Sequence, residues 1–290
     1  MKPTKHFFLS CKESRIETPT RYYGCFYLGP FKASQSLTLA NALRRTLLSE
    51  IRGLAITSIY IEGANHEYSD LPGIRESVLD ILLNLKEIVF KNISPVDKPM
   101  IGYLQARGPG VIYSSDLKLP KNIQCVDPNQ YIATLNYDGN LNIKFMITEG
   151  SNYQIQNPRQ IQQFTNENFH FLTQNVPMTL DPVFTPVQKV NYIIESDQLY
   201  PSLLKNDQPD EKMNTKNPLR DNNHVVILEI WTNGSIHPRE ALNQGIDQLF
   251  TLFASLSEMS LINNSISYSL QKSRTHLQRF ISKVEKKTKF

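Results

Sequence analysis

Two adjacent arginines interrupt an otherwise apolar helical pattern, and they are the first residues here that could do chemistry. Arg44 and Arg45 sit between Leu43 and Leu47. A guanidinium is a planar fork of donors that matches a carboxylate or paired carbonyls on another chain. The same pair would also suit a plain solvated face. A second cluster, His66-Glu67-Tyr68-Ser69, precedes Leu71-Pro72-Gly73. It reads either as a polar turn or as a recognition loop, and Tyr68 offers the flat amphipathic surface that often anchors interfaces.

Neither cluster is a catalytic constellation. The histidines, His6, His66, His170, His224, His237 and His276, fall at no HExxH spacing, and none pairs with cysteine. There is no GxxxxGK[ST] loop and no GxSxG elbow, and Gly108-Pro109-Gly110 lacks the third glycine of a dinucleotide fingerprint and reads as a turn. The paired-carboxylate clusters that hold magnesium are missing, and Asp207, Asp210 and Glu211 read as solvated loop charge. Cys11, Cys25 and Cys125 are too few and too far apart for a disulfide framework or a zinc site, which suits a reducing compartment. The expectation is a chain with no catalytic residue, no metal and no cofactor of its own.

The elements that must position the two clusters follow from periodicity. Leu39, Leu43, Leu47 and Ile51 recur every four residues, widened by Leu37, Ala40 and Leu48, and predict a helix from Ser36 to Ile51 with Ser36 as N-cap and Gly53 as its stop. Ala55 to Ile61 is β-branched and aromatic and predicts a strand. Val78, Ile81, Leu82, Leu85, Ile88 and Val89 mark the buried face of a second helix over Glu76 to Phe90. Upstream, Arg21 to Leu28 reads as extended chain ending in a Gly29-Pro30 turn. Leu141, Ile143, Phe145 and Ile147 alternate with polar neighbours after an Asp138-Gly139-Asn140 turn, which predicts a half-buried strand out of a hairpin. Asn152 to Asn175 reads as a polar surface excursion and Leu203 to His224 as a long loop. Val187 to Ser196 and Val225 to Trp231 predict strands. Pro238 opens a last helix with the stripe Leu242, Ile246, Leu249, Phe250 and Phe253, reaching about Met259. The order is α+β, with the two best helices at opposite ends and a strand-rich middle.

With 290 residues, 40% hydrophobic and 20% charged, the chain can bury a sizeable core. No stretch is long and apolar enough for a membrane span, and the opening residues suit neither a secretory signal nor a transit peptide. The formal charge of +4 is uneven. From Ser260 onward seven bases face one acid, while the first 259 residues carry 24 bases and 26 acids. Within that tail Leu277, Phe280, Ile281 and Val284 space an amphipathic helix with Lys272, Arg279, Lys283 and Lys286 on its other side, candidates for non-specific DNA phosphate contact or for plain solubility.

Four ordered blocks carry a resemblance. Leu39-Ala40-Asn41-Ala42-Leu43-Arg44-Arg45-Thr46-Leu47-Leu48 resembles the first-helix motif of the α subunit of bacterial-type DNA-directed RNA polymerase. His66-Glu67-Tyr68-Ser69, Gly73-Ile74-Arg75-Glu76-Ser77 and Ile81-Leu82-Leu83-Asn84-Leu85-Lys86 resemble its next block. Phe184-Thr185-Pro186-Val187 resembles the return from its inserted domain, and Trp231 to Leu242 the start of its last helix. The runs Leu228 to Trp231 and Asn84 to Val89 look like the plastid (chloroplast) branch.

The resemblance implies a discontinuous dimerisation domain over residues 1–52 and 183–259, an inserted β-rich domain over 53–182 and a basic tail over 260–290. It implies a homodimer that nucleates assembly of the β and β′ subunits, with the catalytic magnesium in β′, sigma factor engaged indirectly, DNA met mainly through the complex, and no membrane. By the same token Arg44, Arg45, Leu48, His66, Glu67, Tyr68 and Lys86 would face β or β′. Leu39, Leu43, Leu47, Leu249, Phe250 and Phe253 would form the dimer interface. The family's helical C-terminal domain is not expected in the 31 residues after Met259. A different reading is a free-standing nucleic-acid-binding protein acting through the basic tail; the net acidity of the rest of the chain weighs against it.

Overall fold

The computed structural model describes residues 7–94, 98–153, 177–196 and 223–257. Residues 154–175 of the polar excursion, 203–222 of the long loop, and the tail with Lys272, Arg279, Lys283 and Lys286 lie outside them. The chain divides into two compact units, Met1–Gly245 and Ile246–Phe290.

The fold is α+β, and the first unit is built on two antiparallel sheets. The first has the order β1-β2-β12-β11, from β1 (Phe8–Thr18), β2 (Arg21–Lys32), β11 (Val187–Ser196) and β12 (Asn223–Thr232). Helix α1 (Ala33–Ser49) packs on β2, β11 and β12. The chain then leaves through β3 (Arg52–Ile61) into the second sheet. That sheet has the order β5-β9-β3-β4-β7, with β10 (Met178–Thr179) also on β3. Its other strands are β4 (Phe90–Asn92), β5 (Met100–Arg107), β7 (Ile123–Cys125) and β9 (Asn140–Ser151). A two-stranded ribbon of β6 (Gly110–Tyr113) and β8 (Tyr131–Leu135) lies beside helix α2 (Val78–Lys86). The larger core belongs to this second sheet and gathers Ile59, Ile61, Ile81, Leu85, Phe90, Leu104, Ile143 and Phe145. A final helix, α3 (238–257), begins at Pro238 as its fixed φ favours.

Several boundaries differ from the periodicity. Helix α1 starts at Ala33, so Ser36 is not its cap; buried in the first turn, its hydroxyl donates to the Ala33 carbonyl at 2.9 Å and lies 3.3 Å from His224 Nδ1. Gly53 does not stop that helix. It sits in β3, where a Cβ would overlap the Phe184 carbonyl oxygen, so the glycine is there for close approach. Helix α2 has nine residues because Ser77 caps it reciprocally with Asp80, a device worth about 1 kcal/mol. That leaves Glu76 outside the helix, and Ile88 and Val89 follow its end in a buried connection. Gly29-Pro30 lies within β2, and the turn falls at Pro19-Thr20. Asp138 is in a turn, but no hairpin forms, since β8 pairs with β6 while β9 pairs with β3 and β5.

Candidate functional site

Helix α1 presents its two arginines outward. Leu43, Thr46 and Leu47 are buried against the sheet, so at 100° per residue Arg44 and Arg45 emerge together on the exposed side, with Leu48 half-buried beside them. The helix is tied to the sheet beneath it and braced within its last turn. Tyr192 on β11 donates its hydroxyl to Asn41 Oδ1 at 2.8 Å, one turn before the arginines. Ser49 Oγ donates to the Arg45 carbonyl at 2.9 Å. The salt bridges at Arg15 and Arg21 lie on the first hairpin, and neither Arg44 nor Arg45 takes part in them, so both guanidinium groups can offer donors to another molecule.

The loop after β3 is ordered by its own serine. The His66 N–H donates to Ser69 Oγ at 3.2 Å, and the Ser69 N–H donates back to the His66 carbonyl at 3.1 Å. His66 Nδ1 is also 3.2 Å from that hydroxyl. The Val78 N–H then donates to the Ser69 carbonyl, tying the loop to the first turn of α2. Its three outer residues, His66, Glu67 and Tyr68, are exposed, Tyr68 at 72%. No group of three or more His, Cys, Asp or Glu side chains among the described residues could hold a metal.

Lys86 closes α2 at the edge of a cavity of about 230 Å³. The cavity lies where the two sheets exchange the chain, between Gly53-Leu54-Ala55, Glu87 to Phe90, Val183 to Thr185, and the turn with Asn233 and Ser235. That turn is a structural node. Asn233 Oδ1 accepts from both the N–H and the hydroxyl of Ser235, and the Asn233 N–H donates to the Pro186 carbonyl at 2.9 Å. Gly234, at φ +85°, fits where a side chain would overlap the Pro19 carbonyl.

Of the residues expected at a two-fold interface, Leu43 and Leu47 are 1% exposed within the single chain. They belong to its own core and have no surface left for a second copy; Leu47 lies against Gly245. Leu39 and Leu249 are half-buried, while Phe250 and Phe253 are exposed. On α3, Ile246, Leu249, Phe250, Phe253 and Leu256 continue the same helical stripe.

One long-range pairing escaped the sequence reading. The Glu76 carboxylate accepts the Tyr131 hydroxyl and, at 2.7 Å, the Thr134 N–H, clamping the approach to α2 onto β8. Burial and then the bond to Glu76 raise the Tyr131 phenol above its ordinary range. Fifty-five residues separate Glu76 from Tyr131, so no local spacing could have linked them.

A helix-backed sheet whose strands come from both ends of the chain, with a second, larger sheet formed by the residues between them, is the arrangement on which the comparisons bear. Residues 59–171 match the RNA polymerase Rpb3/RpoA insert domain. The chain is 39% identical over 378 aligned residues to the DNA-directed RNA polymerase subunit alpha of Tetradesmus obliquus, which covers 98% of this chain and 75% of that one. It is 43% identical over 262 residues to that of Mesostigma viride, covering 89% of this chain and 73% of the relative. With the Chlamydomonas reinhardtii subunit it shares 55% over 178 residues, which is 58% of this chain and 32% of that one. The chain belongs to the DNA-directed RNA polymerase alpha subunit family.

Proposed function

We propose that this chain is the assembly scaffold of a plastid DNA-directed RNA polymerase, which dimerises and then recruits the β and β′ subunits. The observation that carries the reading is the apolar stripe of α3, whose Phe250 and Phe253 are 72% and 61% exposed. Rings of that size left in water at helical spacing mark an interaction surface. In this proposal Leu39, Leu249, Phe250 and Phe253 meet a second copy across a two-fold axis, where one patch pairs with itself. Arg44, Arg45, Leu48, His66, Glu67 and Tyr68 face β, and Lys86 lies toward β′. The plastid setting is inferred from the Leu228 to Trp231 and Asn84 to Val89 runs and from the algal relatives. Among the described residues no helix is long and apolar enough to cross a membrane.

Light scattering of the isolated chain at micromolar concentration tests the dimer. Twice the chain mass of 33.3 kDa is expected, and a clean species at the single-chain mass would overturn the dimer step.

A further inference from the structure

The outer face of the second sheet carries an alternation of tyrosine and lysine running across three strands and a residue bridged to the edge of one of them. Tyr60 on β3 is directly opposite Lys144 on β9, Lys144 is opposite Tyr103 on β5, and Tyr103 is bridged to Lys118. Directly opposed residues share one face of a sheet, so the four side chains form a single row. The backbone fixes it: Tyr103 and Lys118 exchange N–H···O bonds of 3.0 and 2.7 Å. The Lys144 ammonium lies 5.8 Å from the centre of the Tyr103 ring, within cation–π range.

The neighbouring rows extend the pattern. Lys118 Nζ donates to Gln105 Oε1 at 2.8 Å, and Gln105 is opposite Asn142. Asn142 Nδ2 donates to the Glu62 carboxylate at 2.8 Å. Arg107, opposite Asn140, adds a third cation. Tyr103, Gln105, Arg107 and Lys118 are exposed, and Tyr60 and Lys144 half-exposed. The face thus brings together the cations Lys118, Lys144 and Arg107, the Glu62 carboxylate, two flat rings two strands apart, and amide groups between them.

We infer that this sheet face binds single-stranded nucleic acid, with bases stacked on Tyr103 and Tyr60 and phosphates held by Lys118, Lys144 and Arg107. Charge complementarity selects a polyanion. The rings select one with π faces, since base–aromatic stacking tolerates any sequence while cations track the backbone. A duplex hides its base faces and offers no stacking partner. An acidic protein segment would satisfy the lysines but leave the rings without a role.

The test is fluorescence anisotropy of a labelled 12-nucleotide single-stranded RNA with the full chain, across a salt series. The basic tail supplies a stacking-independent background, so each variant is compared within the full chain. Tyr103→Ala should weaken binding about tenfold, the size of one lost stack, while Tyr103→Phe keeps it. Lys118→Ala with Lys144→Ala should lower the salt slope by about 1.4, at about 0.7 per single-strand phosphate. A 5-bromouridine oligomer should photo-cross-link to the peptide containing Tyr103. Unchanged affinity in Tyr103→Ala, cross-links confined to the tail, or displacement of RNA by polyglutamate at equal charge would each overturn the inference. Should Tyr103→Ala fail to fold by circular dichroism, Lys118→Glu replaces it: weaker binding supports the site, and wild-type affinity overturns it.

Discussion

Trp231 lies against Tyr23 across the first sheet, their ring centres 5.0 Å apart and their planes inclined by 50°. The pair is the middle of a row that begins with Arg15 over the Tyr23 ring and ends with Lys189 over the indole, at 4.6 and 4.9 Å from the ring centres. Each member is directly opposite the next in the strand register. The Tyr23 hydroxyl donates to Glu229 at 2.9 Å. Burial, and then that bond, raise its phenol well above the usual range.

Because Trp231 is the chain's single tryptophan, it reports on this sheet alone. Tyr23→Phe removes the donor to a half-buried carboxylate and should cost about 1–2 kcal/mol. Urea unfolding followed by Trp231 emission measures it; a midpoint equal to wild type would show that Glu229 is satisfied without Tyr23.

Gly73, at φ +77°, passes so close to Gly139 that a Cβ there would come 2.6 Å from the Gly139 Cα. Gly73→Ala adds overpacking to a strained backbone and should destabilise by about 3 kcal/mol or more. A thermal melt shifted by less than a degree would contradict it. The expected result makes Gly73 a packing device that seats its turn against the turn at Asp138 and Gly139.

The thiols should separate by reactivity. Cys11 is exposed and Cys25 buried, and burial pushes the Cys125 thiol from 9.0 up to about 11. Only the thiolate attacks, so at pH 8 a maleimide should label Cys11 first and Cys125 slowly. Because the folded value is raised, the stability from the protonated Cys125 is intact below pH 9 and is lost as pH rises through about 11. Peptide mapping of the labelled protein checks the order, and equal rates at Cys11 and Cys125 would contradict it.

Local signals were legible where periodicity alone decides. Val187 to Ser196 forms β11 over the expected residues, and Pro238 opens α3 as expected. What the sequence could not reveal is non-local. The stripe Leu39-Leu43-Leu47 looks the same whether it packs on its own sheet or on a second copy; only the neighbouring β2, β11 and β12 decide that Leu43 and Leu47 are core. Gly53 reads as a helix stop because the Phe184 backbone that demands a glycine lies more than a hundred residues away. Likewise, the alternation through Lys144 marks a solvent face but does not say that Tyr60 and Tyr103 flank it.

Arg45 carries the docking proposal. Truncating one partner of a buried charged hydrogen bond costs about 2–5 kcal/mol, so Arg45→Ala should keep the dimer and lose β in a pull-down. Retention of β at wild-type affinity would remove Arg45 from the interface.

The most direct measurement is affinity purification of the tagged full chain from its source, with every co-purifying chain identified by mass spectrometry. An assembly scaffold returns the large β and β′ subunits together with a second, untagged copy of this chain. Recovery of the tagged chain alone, at salt that keeps polymerase intact, would contradict the account.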